Sequence, residues 1–122
     1  MLAVIGMTKF NDPLISGIWI AKVANGCNDS LKFQNNHRVK IYDCEASITT
    51  VGSYSFSKDT LVVIERDDSH SEDGGKISYF KTKYILKNIY LYPINSSQLT
   101  NGNWVDLKVK FSKTYVYKKI RG

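Results

Sequence analysis

The residues of this sequence that could do chemistry are two histidines, two cysteines and a run of acidic side chains. His37 lies in the segment "QNNHR" and His70 in "ERDDSHSED", so the histidines belong to different parts of the chain. The acidic run could hold Ca²⁺, but it lacks the spacing of a known calcium loop, and no Cys or His spacing matches a zinc site. No arrangement of serine, histidine and acid is evident. The sequence therefore predicts no catalytic residue, no metal and no cofactor, and an enzyme is the least favoured hypothesis.

The elements that would position any binding residue are strands. The 122 residues are enough for one domain, 1–122, with residues 1–14 as a lead-in segment. Eight Tyr, five Phe and two Trp against two Pro favour strands. Strand-like segments alternate with Asn, Gly, Asp and Ser clusters. We predict eight: 17–24, 29–34, 38–43, 51–57, 60–66, 76–86, 88–93 and 105–119, the last with a candidate break near residues 112–113.

Apolar and charged residues alternate along these segments. Phe80, Thr82 and Tyr84 lie opposite Lys81 and Lys83, for example. Alternation with a period of two and charges on one side indicates a sheet with one solvent-facing surface.

The connections between the segments differ in length. The segments "QNNHR", "SKD" and "LKN" are tight, whereas "NGCN", "CEASITT", "DDSHSEDGG" and "INSSQLTNGN" are longer. Alternate connections of an up-and-down meander lie at opposite ends, so all the longer ones would share one end. This sorting predicts an all-β fold, an eight-stranded antiparallel up-and-down β-barrel that is open at the end with the long loops. A β-sandwich is the alternative.

Three stretches resemble a known family. The chain begins its first strand with Gly17-Ile18-Trp19, continues with "SLKFQNNHRVKIY" and then has "GSYSFSKDTLVVI". In this order they resemble the lipocalin-like superfamily, most closely the short bacterial lipocalin-like domains, over roughly residues 10–120. The resemblance implies that Gly17 allows a tight turn into the barrel floor and that Trp19 closes that end. It also implies that a basic residue of the last strand packs on Trp19, for which Lys118, Lys119 and Arg121 are candidates.

The register of the second hairpin decides how Cys27 and Cys44 face each other. A two-residue turn at Asn35-Asn36 would set them directly opposite, but would also pair apolar residues with charged ones. A bulged turn with His37 in a left-handed conformation pairs Phe33 with Val39 and Leu31 with Ile41, which keeps one apolar face. Cys27 then lies one residue out of step with Cys44. A disulfide is within reach, and two inert thiols are the alternative.

The inner face of the predicted barrel supplies the candidate ligand-binding residues. At eight strands a barrel is either filled by side chains or holds one small ligand. Val109 of the last strand would also face inward. The candidates for ligand contact are Phe33, Ile41, Tyr54, Phe56, Phe80, Thr82 and Tyr84.

Two binding functions follow. The first is a non-enzymatic, lipocalin-like protein that takes a small hydrophobic ligand inside the barrel. The alternative is a filled barrel that binds a protein partner through its open-end loops, as an inhibitor or cell-envelope lipoprotein domain would. For this function the long connection before Trp104 offers an interaction loop with an aromatic anchor.

Charge and hydropathy narrow the partners and the compartment. The formal net charge is +6, but the lysines alternate with apolar residues as on a solvated strand face. We therefore expect no nucleic-acid partner. No apolar run approaches the length of a transmembrane helix. We expect a monomer, placed in a bacterial cell envelope or secreted if a signal has been removed, with the cytoplasm as the alternative.

Overall fold

A computed structural model describes residues 14–68 and 75–122. The lead-in segment up to residue 13 and His70 lie outside the described residues. The strands are β1 (Gly17–Ala24), β2 (Cys27–Gln34), β3 (Arg38–Asp43), β4 (Ile48–Ser57), β5 (Thr60–Asp67), β6 (Ser78–Lys87), β7 (Tyr90–Thr100), β8 (Asn103–Asp106) and β9 (Tyr117–Arg121).

These strands form a closed antiparallel barrel. Each strand from β1 to β7 pairs with the next one along the chain, and β9 pairs with both β7 and β1. Eight strands thereby close the barrel, while β8 extends the far half of β7 as one extra strand. The predicted eight-stranded up-and-down barrel is confirmed, and the closure leaves no room for the alternative of a sandwich.

The hairpin of β2 and β3 has the register that the apolar pattern predicts. Leu31 pairs with Ile41 and Phe33 with Val39. His37 takes a positive φ of 58°, which gives the bulged turn its left-handed residue. The inward-facing residues of both strands therefore stay apolar.

The last strand differs from the prediction, which ran it unbroken over 105–119. β8 ends at Asp106, whose carboxylate accepts a hydrogen bond from the backbone N–H of Lys108 at 2.7 Å. The chain then leaves the sheet until β9 begins. Between β8 and β9 it has more residues than β7 has free positions between the partners of β8 and those of β9. Val109, predicted to face inward, is exposed on this excursion, residues 107–116.

Two of the connections predicted to be long are tight turns. Asn25-Gly26 joins β1 to β2, and Asn101-Gly102 joins β7 to β8. Asn101 and Gly102 both have the positive φ that a two-residue hairpin turn favours, 51° and 81°, whereas in the first turn Gly26 supplies it, at 71°. The segment "INSSQLT" continues β7 in its pairing with β6, and the buried Ser96 hydroxyl lies within hydrogen-bond distance, 2.8 Å, of the Thr82 hydroxyl there. The longer connections that remain at this end are 44–47 and 68–77.

One hydrophobic core fills the barrel. Its buried members come from every strand of the closed barrel, with Ile15 added from the segment before β1. They are Ile15, Trp19, Ala21, Leu31, Phe33, Val39, Tyr54, Leu61, Val63, Tyr84, Leu91 and Tyr117.

Candidate functional site

The residues predicted to contact a ligand lie on the inner face of the barrel, and five of them belong to its hydrophobic core or pack against it. Phe33, Tyr54 and Tyr84 are buried in the core, and the Phe33 ring meets the Tyr54 ring edge-on at 4.8 Å between centroids. Ile41 and Phe56 are half-buried against the same core. Thr82 and Phe80, opposite Val63 and Glu65 on β5, are also half-buried. The core members among these residues therefore fill the inside of the barrel by packing against other side chains.

A polar network, which the sequence did not reveal, occupies the inner face towards the disulfide. Tyr115 donates a hydrogen bond to the carboxylate of Asp29 at 2.6 Å, and its oxygen lies 2.8 Å from the Tyr117 hydroxyl. Thr50 donates to Glu65 at 2.5 Å. Among the described residues no buried side-chain nitrogen or oxygen lacks a hydrogen-bond partner. The hydroxyl and carboxylate groups of the network therefore hydrogen-bond to one another.

Burial sets the protonation of this network. It raises the pKa of Tyr84, Tyr115 and Tyr117 above the ordinary value of a tyrosine, so their hydroxyls stay protonated to a higher pH than that of an exposed tyrosine. Burial also raises the pKa of Glu65, against the opposing effect of the Thr50 hydrogen bond. The protonated Tyr115 hydroxyl can therefore donate its hydrogen bond to Asp29.

Cys27 and Cys44 form a disulfide at one end of the barrel, which we call the disulfide end. Their Cα atoms are 5.6 Å apart. Asp29 accepts a hydrogen bond from the backbone N–H of Cys44 at 2.9 Å and thereby links the bridge to Tyr115. A cleft of about 400 Å³ beside it is lined by side chains of both charges, among them Asp43 and Lys110, and by Phe111.

Trp104 lies in strand β8 and is half-buried, whereas the sequence placed it beside a long loop. The Lys81 ammonium sits 4.6 Å from the centre of its ring. Part of the indole surface is therefore already covered by this cation–π contact.

The opposite end of the barrel, which we call the Trp19 end, is closed by Trp19 as the prediction has it. The indole is 2% exposed and its N–H donates to the Ile15 carbonyl at 2.8 Å. Lys119 is opposite Trp19 in the β1–β9 register, with its ammonium 6.0 Å from the ring centre. Arg121 is opposite Ile18, and its backbone carbonyl lies where a Cβ on Gly17 would be.

A cleft of about 460 Å³ opens outside Trp19. Four aliphatic side chains line it. Leu86 is half-buried, and the other three are the most exposed large hydrophobic residues of the described chain: Leu14 at 62%, Ile89 at 59% and Ile120 at 52%. Lys119 and Arg121 complete its rim. Sequence analysis missed this cleft, and its one signal was an isoleucine in the β6–β7 turn.

Charge is distributed unevenly between the two ends. Within residues 14–68 and 75–122, the strand directions place Asp59 alone among acidic residues at the Trp19 end. The others lie at the disulfide end: Asp29, Asp43, Glu45, Glu65, Asp67, Asp68 and Asp106. Basic residues at the Trp19 end are Lys32, Arg38, Lys58, Lys87, Lys118, Lys119 and Arg121.

Comparison with protein-family models, curated proteins and solved structures finds no match for the chain. The resemblance to lipocalin-like domains therefore stays a prediction, and the class that the fold defines is a closed antiparallel β-barrel. Over the part of the chain that the structure describes, no helix is long and apolar enough to cross a membrane.

Proposed function

We propose that this protein is a non-enzymatic protein-interaction module, a filled barrel that binds its partner at the cleft outside Trp19. The observation that carries this proposal is the gathering of Leu14, Ile89 and Ile120 around one cleft. Contiguous exposed apolar surface is uncommon on soluble monomers and marks interaction sites. The sequence predicted a protein partner at the open-end loops, and this proposal places the partner at the opposite end of the barrel.

The filled interior argues against the first hypothesis, a small ligand inside the barrel. Phe33, Tyr54 and Tyr84, which were predicted to bind a ligand, are buried against other side chains of the core. A ligand would have to displace them, and in a close-packed core each lost contact lowers stability.

The shape of the cleft favours a protein partner over a small molecule. A small-molecule site encloses most of its ligand's surface. Here Leu14, Ile89 and Ile120 are more than half exposed, so a molecule within the cleft would leave much of their surface in water. A protein surface can fill the cleft with one side chain and cover its edges with neighbouring ones.

Selection from a displayed library of random peptides tests the proposal. Peptides enriched on the wild-type protein should lose binding to an Ile89→Asp variant, because the charge prevents apolar contact at the edge of the cleft. Val51→Asp is the matched control: Val51 is also an exposed aliphatic residue, at 37%, but lies on β4 away from the cleft. Peptides that bind both variants equally, or enrichment that depends on Val51, would overturn the proposal.

A further inference from the structure

We infer that the partner presents an acidic segment, with apolar side chains for the cleft and carboxylates for its basic rim. This inference rests on the proposed function and adds the chemistry of the partner. Lys119 and Arg121 line the same cleft as Leu14, Ile89 and Ile120. An occupant of that cleft meets aliphatic and cationic groups together.

The charged residues around the cleft also favour an acidic partner. Lys87 ends β6 beside Ile89, and Lys58 lies in the β4–β5 turn, whose Asp59 carbonyl accepts a hydrogen bond from the Leu86 N–H at the same end. Asp59 is the one acidic residue at this end of the described chain. A basic segment would be repelled by this surface, whereas complementary charge speeds association and selects the partner.

A protein segment fits better than an anionic membrane or a nucleic acid. The cleft is concave, and a flat headgroup surface would leave it unfilled. Its apolar lining is aliphatic apart from Trp19, which is buried under the Lys119 ammonium. Single-stranded nucleic acids need exposed aromatic rings on which their bases stack.

Three labelled peptides test the inference by fluorescence anisotropy: leucines alternating with glutamates, with glutamines, or with lysines. We expect the glutamate peptide to bind about tenfold more tightly than the glutamine peptide, and the lysine peptide more weakly still. Arg121→Glu should abolish the preference for glutamate. Lys113→Glu, an exposed charge reversal at the disulfide end, is the control and should keep it.

The outcomes separate the inference from the proposed function. If the glutamine peptide binds as tightly as the glutamate peptide and both lose binding in Ile89→Asp, the acidic partner is overturned while the cleft stands. If the glutamate peptide binds Ile89→Asp unchanged, its attraction is general charge and the cleft itself is overturned. Tighter binding to phosphatidylserine vesicles than to any peptide, lost in Ile89→Asp, would replace the acidic segment by a lipid surface.

Discussion

Gly17 stands where the start of β1 meets the end of β9, and its missing side chain is what lets the two strands approach. Its φ is +109°, and a Cβ would overlap the carbonyl oxygen of Arg121. We predict that Gly17→Ala lowers the free energy of unfolding by about 3 kcal/mol, from backbone strain plus this overlap. Urea unfolding followed by tryptophan fluorescence measures it.

Gly26 provides the control for Gly17, because it also has a positive φ, +71°, but nothing lies within 4 Å of its Cβ position. Gly26→Ala should therefore show the strain alone, about 1 kcal/mol. Equal losses in the two variants would mean that the approach of β9 to Gly17 does not restrict that position.

Glu65 makes stability depend on pH. Burial raises its pKa in the folded state above 4.5, so the folded protein holds this proton more tightly than the unfolded chain does. Its contribution to stability is fully present below the unfolded pKa and is lost as the pH rises through the folded pKa. We predict that Glu65→Gln, which keeps an acceptor for Thr50, removes this loss and is more stable than wild type at pH 7.

Unfolding free energies of wild type and Glu65→Gln between pH 4 and pH 7 check the prediction for Glu65. The difference between the two proteins should grow with pH, in favour of the variant. A wild type that gains stability relative to Glu65→Gln as the pH rises would show that the ionised carboxylate is the better-stabilised form.

The disulfide joins the start of β2 to the turn after β3. It closes a loop with a sequence separation of 17, for which the entropy lost by the unfolded chain corresponds to about 3 kcal/mol. We predict that replacing both cysteines by serine destabilises the barrel by that order. A reducing agent should destabilise wild type equally and leave the double variant unchanged. An intact mass of wild type without the loss of two hydrogens would contradict the bridge.

Tyr115 holds the excursion between β8 and β9 to the barrel. Its hydroxyl contacts both Asp29 and Tyr117, and Tyr115→Phe leaves the Asp29 oxygen without this donor. We predict a loss of about 1–2 kcal/mol and faster amide hydrogen exchange in residues 107–116. Thr114→Ala removes only an exposed contact with Ser112 and should change neither.

The sequence carries enough information for the register of β2 and β3 but not for the split last strand. Leu31, Phe33, Val39 and Ile41 admit one pairing that keeps a single apolar face. Residues 105–111 alternate just as well, yet most of them leave the sheet. Their position depends on how many residues β7 offers as partners once β9 has closed the barrel, and that number is a property of the assembled barrel.

At the scale of the whole molecule, the cleft outside Trp19 also depends on the closed barrel and could not be predicted from the sequence. Trp19 and a basic residue near it are predictable from the resemblance, because both lie in short recognisable stretches. Leu14, Ile89 and Ile120 come from the segment before β1, the β6–β7 turn and β9, and each alone is an ordinary exposed aliphatic residue. Closure of the barrel brings them together and also surrounds them with basic residues, with Asp59 as the one acidic residue at that end of the described chain.

The excess of basic residues at the Trp19 end supports the prediction that the protein is a monomer. Two copies could bury their apolar clefts against each other, but the Trp19 ends would then meet with Lys87, Lys119 and Arg121 on both sides. We predict a monomer at low ionic strength and weak self-association near 1 M salt, where screening reduces the Debye length to about 3 Å. Ile89→Asp should stay monomeric at both. Sedimentation velocity measures the masses, and a dimer at low salt would mean that the basic rims do not repel.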